Sequence, residues 1–355
     1  MGSVGVSTAW PTAEQTLLLQ AALLDGDRAR DAFRRWKTAA WTQRLDAGSR
    51  RLLPLLQLNL RALGMREAEH ERLVAAAARA TDENAKLLEA VTSVVGAFHA
   101  AGIDCVLLKG MALALQYYPA AAARPMGDCD LLVRPTEAVR AGDVLARLAW
   151  TPAYTLSGPV LRTVHAASYQ APSGMRLDLH WHVSPEDHTP NASGDHWAAV
   201  DPIDVGGHRA WMLCPADMLL HVCVHGMRWS TTPTLRWAAD ALTIVRSDRP
   251  VAWDRFVDRA TRQQVTLPAG DALRFLREAL DAPVPDDVLP RLLRVRVSQS
   301  QRLEYRVKRQ QRTAARLILI HWFQHRRVSG GAFITDLVRF PGYLRRIWGL
   351  RPRSR

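Results

Sequence analysis

Cysteine is scarce in this chain of 355 residues. There are four, Cys105, Cys129, Cys214 and Cys223, and no two stand at Cys-x-x-Cys spacing. Few and unpatterned thiols in a chain this long argue against a disulfide framework and suit a reducing cytosol. Cys105 and Cys129 lie inside apolar runs, where a thiol behaves as a small hydrophobe. Long hydrophobic runs are also missing. The longest stretches without Asp, Glu, Lys or Arg are residues 90–103, 110–123 and 148–161, fourteen residues each, whereas a membrane span needs about 18. No Lys or Arg precedes Arg28, so the positive start of a secretory signal is not there. These features predict a soluble, cytoplasmic protein. No Walker A sequence, no Gly-x-Gly-x-x-Gly and no Gly-x-Ser-x-Gly occurs, which removes support for P-loop, Rossmann and serine-hydrolase readings.

What is present describes a globular chain. It is 48% hydrophobic and 23% charged, with 20 Pro and 21 Gly spread along it, too apolar for intrinsic disorder and too poor in Gly and Pro for collagen or low complexity. The length suits two or three domains of roughly 100–200 residues. Formal net charge is +13, unevenly distributed. Residues 291–355 hold 17 Arg or Lys and two acids, Glu304 and Asp336, while the preceding 290 hold 30 basic and 32 acidic side chains. A near-neutral body therefore carries a basic C-terminal region, of the kind that meets nucleic acid, anionic lipid or a phosphorylated partner.

Residues 1–100 read as a helical segment. One helix opens at Thr12 and runs to Leu24; a second covers about 47–63, with Pro54 a kink or a later start; a third spans 66–100 and stops at Gly102. The texture changes over 101–213. Strand-like runs at 103–108 and 128–133 bracket a short helix at 111–118, and a helix follows at 135–148. Two hairpins come next: 168–171 with 175–183, and 200–205 with 209–213 around Gly206-Gly207. Residues 214–290 are helical again, and 291–355 form a basic helical region. Within it, 302–316 is expected as one helix with Arg302, Arg306 and Arg309 along one side. That helix either packs on the body with a solvated basic face or contacts nucleic acid or an anionic membrane, and no RRM-type signature accompanies it.

The informative residues are in the middle segment. Leu107-Leu-Lys-Gly110 passes from strand to helix, and Arg124-Pro-Met-Gly-Asp-Cys-Asp130 leads into Leu131-Leu-Val133. In a strand, Asp128 and Asp130 point to one face. Two carboxylates held that close repel unless a cation lies between them, and Mg²⁺ favours oxygen ligands and phosphates. A third acid, Asp178, lies in Arg176-Leu-Asp-Leu-His-Trp181, another strand with apolar neighbours. Three acids on adjacent strands suit metal-assisted phosphoryl transfer.

This ordered set resembles the bacterial nucleotidyltransferase-like family of the DNA polymerase β superfamily, over about residues 103–242 if Leu220-His-Val-Cys-Val-His225 and Leu235-Arg-Trp-Ala-Ala-Asp240 are included. The resemblance implies an α+β fold, a small mixed-sheet nucleotidyltransferase core flanked by N-terminal and C-terminal helical segments. It implies an enzyme that moves a nucleoside monophosphate from an NTP to a hydroxyl-type acceptor, releasing pyrophosphate, with Mg²⁺ or Mn²⁺ as cofactor. On that pattern Asp128 and Asp130 hold the metal carrying the triphosphate, and Asp178 completes a second metal position and helps activate the acceptor. Gly110 lets the backbone approach the phosphates at a helix start. Lys109 and Arg124 neutralise charge on the triphosphate or the leaving pyrophosphate. The sequence departs from minimal members of the superfamily, which show Gly-Ser or Gly-Gly before the acids: here Gly110 is followed by Met111 and stands eighteen positions ahead of Asp128.

Other readings stay open. His180 and His182 alternate with Asp178, and His221 and His225 form an i, i+4 pair, so a His/Asp metal-dependent hydrolase is an alternative, although the Glu of His-Glu-x-x-His is missing. His180 is a site-lining candidate. Arg236 and Asp240, one helical turn apart, are either a surface ion pair or part of a helix closing over nucleotide or acceptor. Trp181, Trp229 and Trp237 are core positions or stacking faces for a base. A non-catalytic adaptor binding a nucleotide or partner is the remaining alternative, against which the three clustered acids weigh.

Overall fold

The computed structural model describes residues 10–187, 194–230 and 234–349. They form two compact units, each assembled from three separated stretches: 1–84, 113–125 and 215–313 in the first, 85–112, 126–214 and 314–355 in the second.

The first unit is helical. Thr12 caps Ala13–Leu23 in a reciprocal box: Gln15 N donates to Thr12 Oγ1 (3.2 Å) and Thr12 N donates to Gln15 Oε1 (2.9 Å). A helix not expected from the sequence, Gly26–Ala40, follows it. Its buried stripe is Ala29, Ala32, Phe33, Trp36 and Ala40, a helical spacing with charged residues on the other face. Pro54 lies in the first turn of Leu53–Ala62, so it marks a start rather than a kink. Leu18, Leu19, Phe33, Trp36, Leu56 and Leu60 are fully enclosed. Helices Pro215–Gly226, Arg236–Arg246, Trp253–Arg262 and Thr266–Leu280 complete this unit with the shorter Val288–Arg294 and Gln299–Lys308. The first two cross closely at Gly226, where a Cβ would stand 2.1 Å from Trp237 Cγ.

The helix expected over 302–316 is in fact two helices, Gln299–Lys308 and Ala314–Ser329. A capping box of Ser298 and Gln301 starts the first one early, and Arg309 beyond its end is held over the rings of Trp10 and Tyr305 and by Asp271. The last residues of the basic region, 350–355, lie outside the described residues.

The second unit is built on a seven-stranded mixed sheet. Its strands are β1 (Val106–Leu107), β2 (Cys129–Leu132), β3 (Thr151–Pro152), β4 (Ala166–Gln170), β5 (Arg176–His180), β6 (Val200–Val205) and β7 (His208–Leu213), in the order β3-β4-β5-β2-β1-β7-β6. Both expected hairpins form, β4–β5 and β6–β7; β3 is additional. β2 is the middle strand and every residue of it is buried, whereas β4 alternates buried and exposed. Val91, Val94, Val95 and Phe98 from the helix that ends at Ala100, and Ala141, Val144 and Leu145 from Ala138–Arg147, are buried with the apolar strand residues. Gly102 ends the first of these helices at φ +67°, where a side chain would be strained, and Ile103 N bonds back to Phe98 O (2.9 Å). No helix among the described residues is long and apolar enough to cross a membrane.

Candidate active site

The central strand carries a charge where apolar residues would be expected. In β2, Cys129 and Leu131 turn to one side and Asp130 and Leu132 to the other, all buried. β5 runs parallel beside it in a register that pairs Asp130 with Asp178 and Leu132 with His180. Asp130, Asp178 and His180 therefore share one face of two adjacent strands. One ligand atom from each lies within 4.8 Å of the others, and no second group of three His, Cys, Asp or Glu side chains does so among the described residues. Asp130 and His180 are buried and Asp178 is half-buried, so the group opens toward solvent on the Asp178 side.

A buried carboxylate needs compensation. Lys109, first residue of the helix Lys109–Gln116 that follows β1, places Nζ 3.2 Å from Asp130 Oδ1. His180 donates from Nε2 to the same oxygen at 3.1 Å. Burial opposes ionisation of Asp130, yet the Lys109 charge and the His180 hydrogen bond outweigh it and hold the carboxyl well below the usual carboxylate range. Behind the strand, burial first and the Asp130 charge second push the Cys129 thiol far up, which leaves it an inert core residue. Tyr154 hydrogen-bonds Ala166 O, and burial together with the Asp178 charge raises its phenol. The His165 ring stands 5.5 Å from that of His180. Neither Tyr154 nor His165 carries a motif that would have singled it out in the sequence.

The remaining sequence candidates divide between the units. Asp128 is half-buried one residue ahead of β2 and outside the group of three. Gly110 is the second residue of the helix that Lys109 begins. Arg124, Arg236 and Asp240 belong to the first unit. There Arg124 is buried and grips Asp240 with both edges of its guanidinium, Nε to Oδ1 and Nη2 to Oδ2, each 2.8 Å, while Tyr118 donates to Oδ1 at 2.7 Å. The Asp240 ion pair is thus internal and made with Arg124; Arg236 donates to the carbonyl of Pro125. Trp181 and Trp237 are core residues and Trp229 is half-buried. His221 and His225, with rings 6.3 Å apart, join no three-ligand group among the described residues.

The donor set fits a divalent cation. Carboxylate oxygens suit Mg²⁺ and Mn²⁺, and the imidazole nitrogen favours Mn²⁺ or a softer ion over Mg²⁺. Two facing carboxylates in a largely buried site create a local excess of negative charge that such an ion relieves.

Comparison with curated proteins gives no match. Among solved structures the chain is similar to an antigenic nucleotidyltransferase-like protein from Paracoccidioides brasiliensis, at 14% identity over 62% of this chain and 95% of that one, with a TM-score of 0.37. Residues 41–281, well over half the chain and including every candidate site residue, match the family described as uncharacterised nucleotidyltransferase. The chain belongs to that uncharacterised nucleotidyltransferase family.

Proposed function

We propose that the protein is a metal-dependent nucleotidyltransferase of the DNA polymerase β type, transferring an NMP from an NTP to a hydroxyl-type acceptor. The observation that carries this reading is the register pairing of Asp130 with Asp178, with His180 beside them, in a chain of nucleotidyltransferase family. Asp130, Asp178 and His180, with Asp128 at the strand entrance, would hold Mg²⁺ or Mn²⁺; the ion supplies charge neutralisation at the triphosphate. Asp178, the more accessible carboxylate, takes the proton of the acceptor hydroxyl. The acceptor oxygen then bonds to the α-phosphorus, and the bond to pyrophosphate breaks. Lys109 orients and balances the buried carboxylate, and its ammonium is placed to neutralise phosphate charge as well. Gly110, the buried second residue of that helix, is where the backbone would approach the phosphates. Arg124, locked to Asp240, serves the first unit's architecture before any ligand.

His180 gives one specific reason to keep a His/Asp hydrolase as a second reading, because imidazole is a frequent ligand in metal hydrolases. Incubation with α-labelled NTPs and each divalent metal in cell extract separates the two. Nucleotidyl transfer leaves label on an acceptor with equimolar pyrophosphate; hydrolysis leaves free NMP and no labelled acceptor. Absence of NTP binding under every divalent metal removes the first reading.

A further inference from the structure

We propose that the hairpin of helices Ala314–Ser329 and Phe333–Gly349 seats the protein on an anionic lipid surface, through an exposed apolar stripe rimmed with arginine. Eleven large apolar side chains are exposed among the described residues, and seven of them fall between Ile318 and Trp348. In Phe333–Gly349 they follow the helical repeat. Ile334, Leu337, Val338 and Trp348 share one stripe, with Pro341 and the exposed Arg345 on it and Arg339 and Arg346 beside it; Ile334 and Val338 are 75% exposed.

The stripe is held outward by the opposite face. Trp322 packs edge-on against Phe340 and Phe333 at 5.1 and 5.6 Å, and His325 lies 4.9 Å from Tyr343. Asp336 is fully buried, paired with Arg326, and its carbonyl is bonded by His325 at 3.1 Å. The hairpin therefore has its own inner core, and rotating the helix to hide the stripe would expose it.

Charge selects the occupant. Residues 314–349 contain Arg316, Arg326, Arg327, Arg339, Arg345 and Arg346 but a single acid, Asp336, which is the buried one. A second copy of this chain would set one arginine rim against another. A nucleic-acid backbone would satisfy the arginines and leave the stripe in water. A bilayer with acidic headgroups accommodates both, taking the apolar stripe among its acyl chains and the arginines at the phosphates, with Trp348 at the interfacial level that indoles prefer. At 17 residues and with its arginines, Phe333–Gly349 lies in the interface rather than crossing it. This inference stands independently of the nucleotidyl-transfer reading.

Cosedimentation of the full-length protein with vesicles tests it. Binding to mixed phosphatidylcholine–phosphatidylglycerol vesicles, weak binding to phosphatidylcholine alone and weakening by salt are expected. The doubly substituted Ile334→Ser/Leu337→Ser protein should bind at least about tenfold less tightly, since two apolar side chains no longer leave water. Its circular dichroism and melting should be unchanged, because both positions are exposed. Arg339→Gln/Arg345→Gln/Arg346→Gln should lose the preference for acidic lipid. The proposal is overturned if neither vesicle type binds, or if the Ser variant binds as well as the unsubstituted protein. It is also overturned if duplex DNA or RNA is bound in place of vesicles, or if sedimentation shows a dimer that the Ser variant abolishes while vesicles bind neither form.

Discussion

Asp130 and Asp178 face each other across the parallel pair β2–β5, register partners on neighbouring strands. Like charges directly opposite in a sheet oppose folding, so a site that keeps both is arranged for something other than stability. Asp178→Asn should therefore stabilise the metal-free protein by about 0.5–1 kcal/mol, as the loss of a like-charge pair implies. The same change should lower metal-dependent transfer by about 100-fold or more, because a ligand is lost. Urea unfolding in chelator and a transfer assay read the two effects, and a destabilised Asp178→Asn protein would count against the pairing argument.

Removing that repulsion with an ion should have the same sign. Mn²⁺ at a hundredfold excess over its dissociation constant should add about 2.7 kcal/mol to unfolding, with chelator reversing it. Thermal melting against metal concentration measures this. The shift should be absent in Asp130→Asn and larger for Mn²⁺ than for Mg²⁺ at equal concentration, because an imidazole sits in the donor set.

Acid should expose the pairing of Asp130 with Lys109 and His180. The Asp130 carboxyl is held below its unfolded value, near 3.9, despite burial that pushes the other way. A carboxyl lowered on folding contributes stability that is complete above the unfolded value and is lost as pH falls through the folded one. In chelator, the stability difference between the unsubstituted protein and Asp130→Asn should be level at neutral pH and shrink once pH drops below about 4. Lys109→Met should flatten the same curve; an unchanged curve would mean that the 3.2 Å contact does not set the titration.

Asp240 offers a contrast, a buried carboxylate with a structural role. Asp240→Ala should cost about 3–5 kcal/mol in denaturant unfolding, because it leaves the buried Arg124 guanidinium without its partner. Replacing the pair together, Arg124→Met with Asp240→Leu, should recover much of that loss. A cost below 1 kcal/mol for the single change would place the pair's importance elsewhere.

Much of the second unit was legible in the sequence because its signals are local. Strand, helix and hairpin order over 101–213 followed from apolar runs and Gly-Gly or Pro-Ser-Gly turns. Asp128, Asp130 and Asp178 stood out as acids beside apolar strand residues, with His180 only a site-lining candidate; the structure groups Asp130, Asp178 and His180 and leaves Asp128 outside. Adjacent strands for Asp130 and Asp178 were expected, but the register that sets them side by side and brings His180 into the group was not legible, because it is a long-range pairing across the 43 residues between β2 and β5. Lys109 as the counter-charge of Asp130, and Arg124 as that of Asp240, are tertiary contacts for the same reason. The helix Gly26–Ala40 was missed although Ala29, Ala32, Phe33, Trp36 and Ala40 recur at helical spacing among charged residues. Nor did the sequence show that each compact unit is drawn from three separated stretches of chain.

Whether Asp130 and Asp178 form one metal site serving nucleotidyl transfer is tested by pyrophosphate release from each NTP, with Mg²⁺ or Mn²⁺ and cell extract as the source of acceptor, for the unsubstituted protein, Asp130→Asn and Asp178→Asn. Release should require the divalent ion, accompany transfer of the α-phosphate label to an acceptor, and fall by about 100-fold or more in both variants. Release that persists in either variant, or NTP binding that no divalent ion supports, would contradict it.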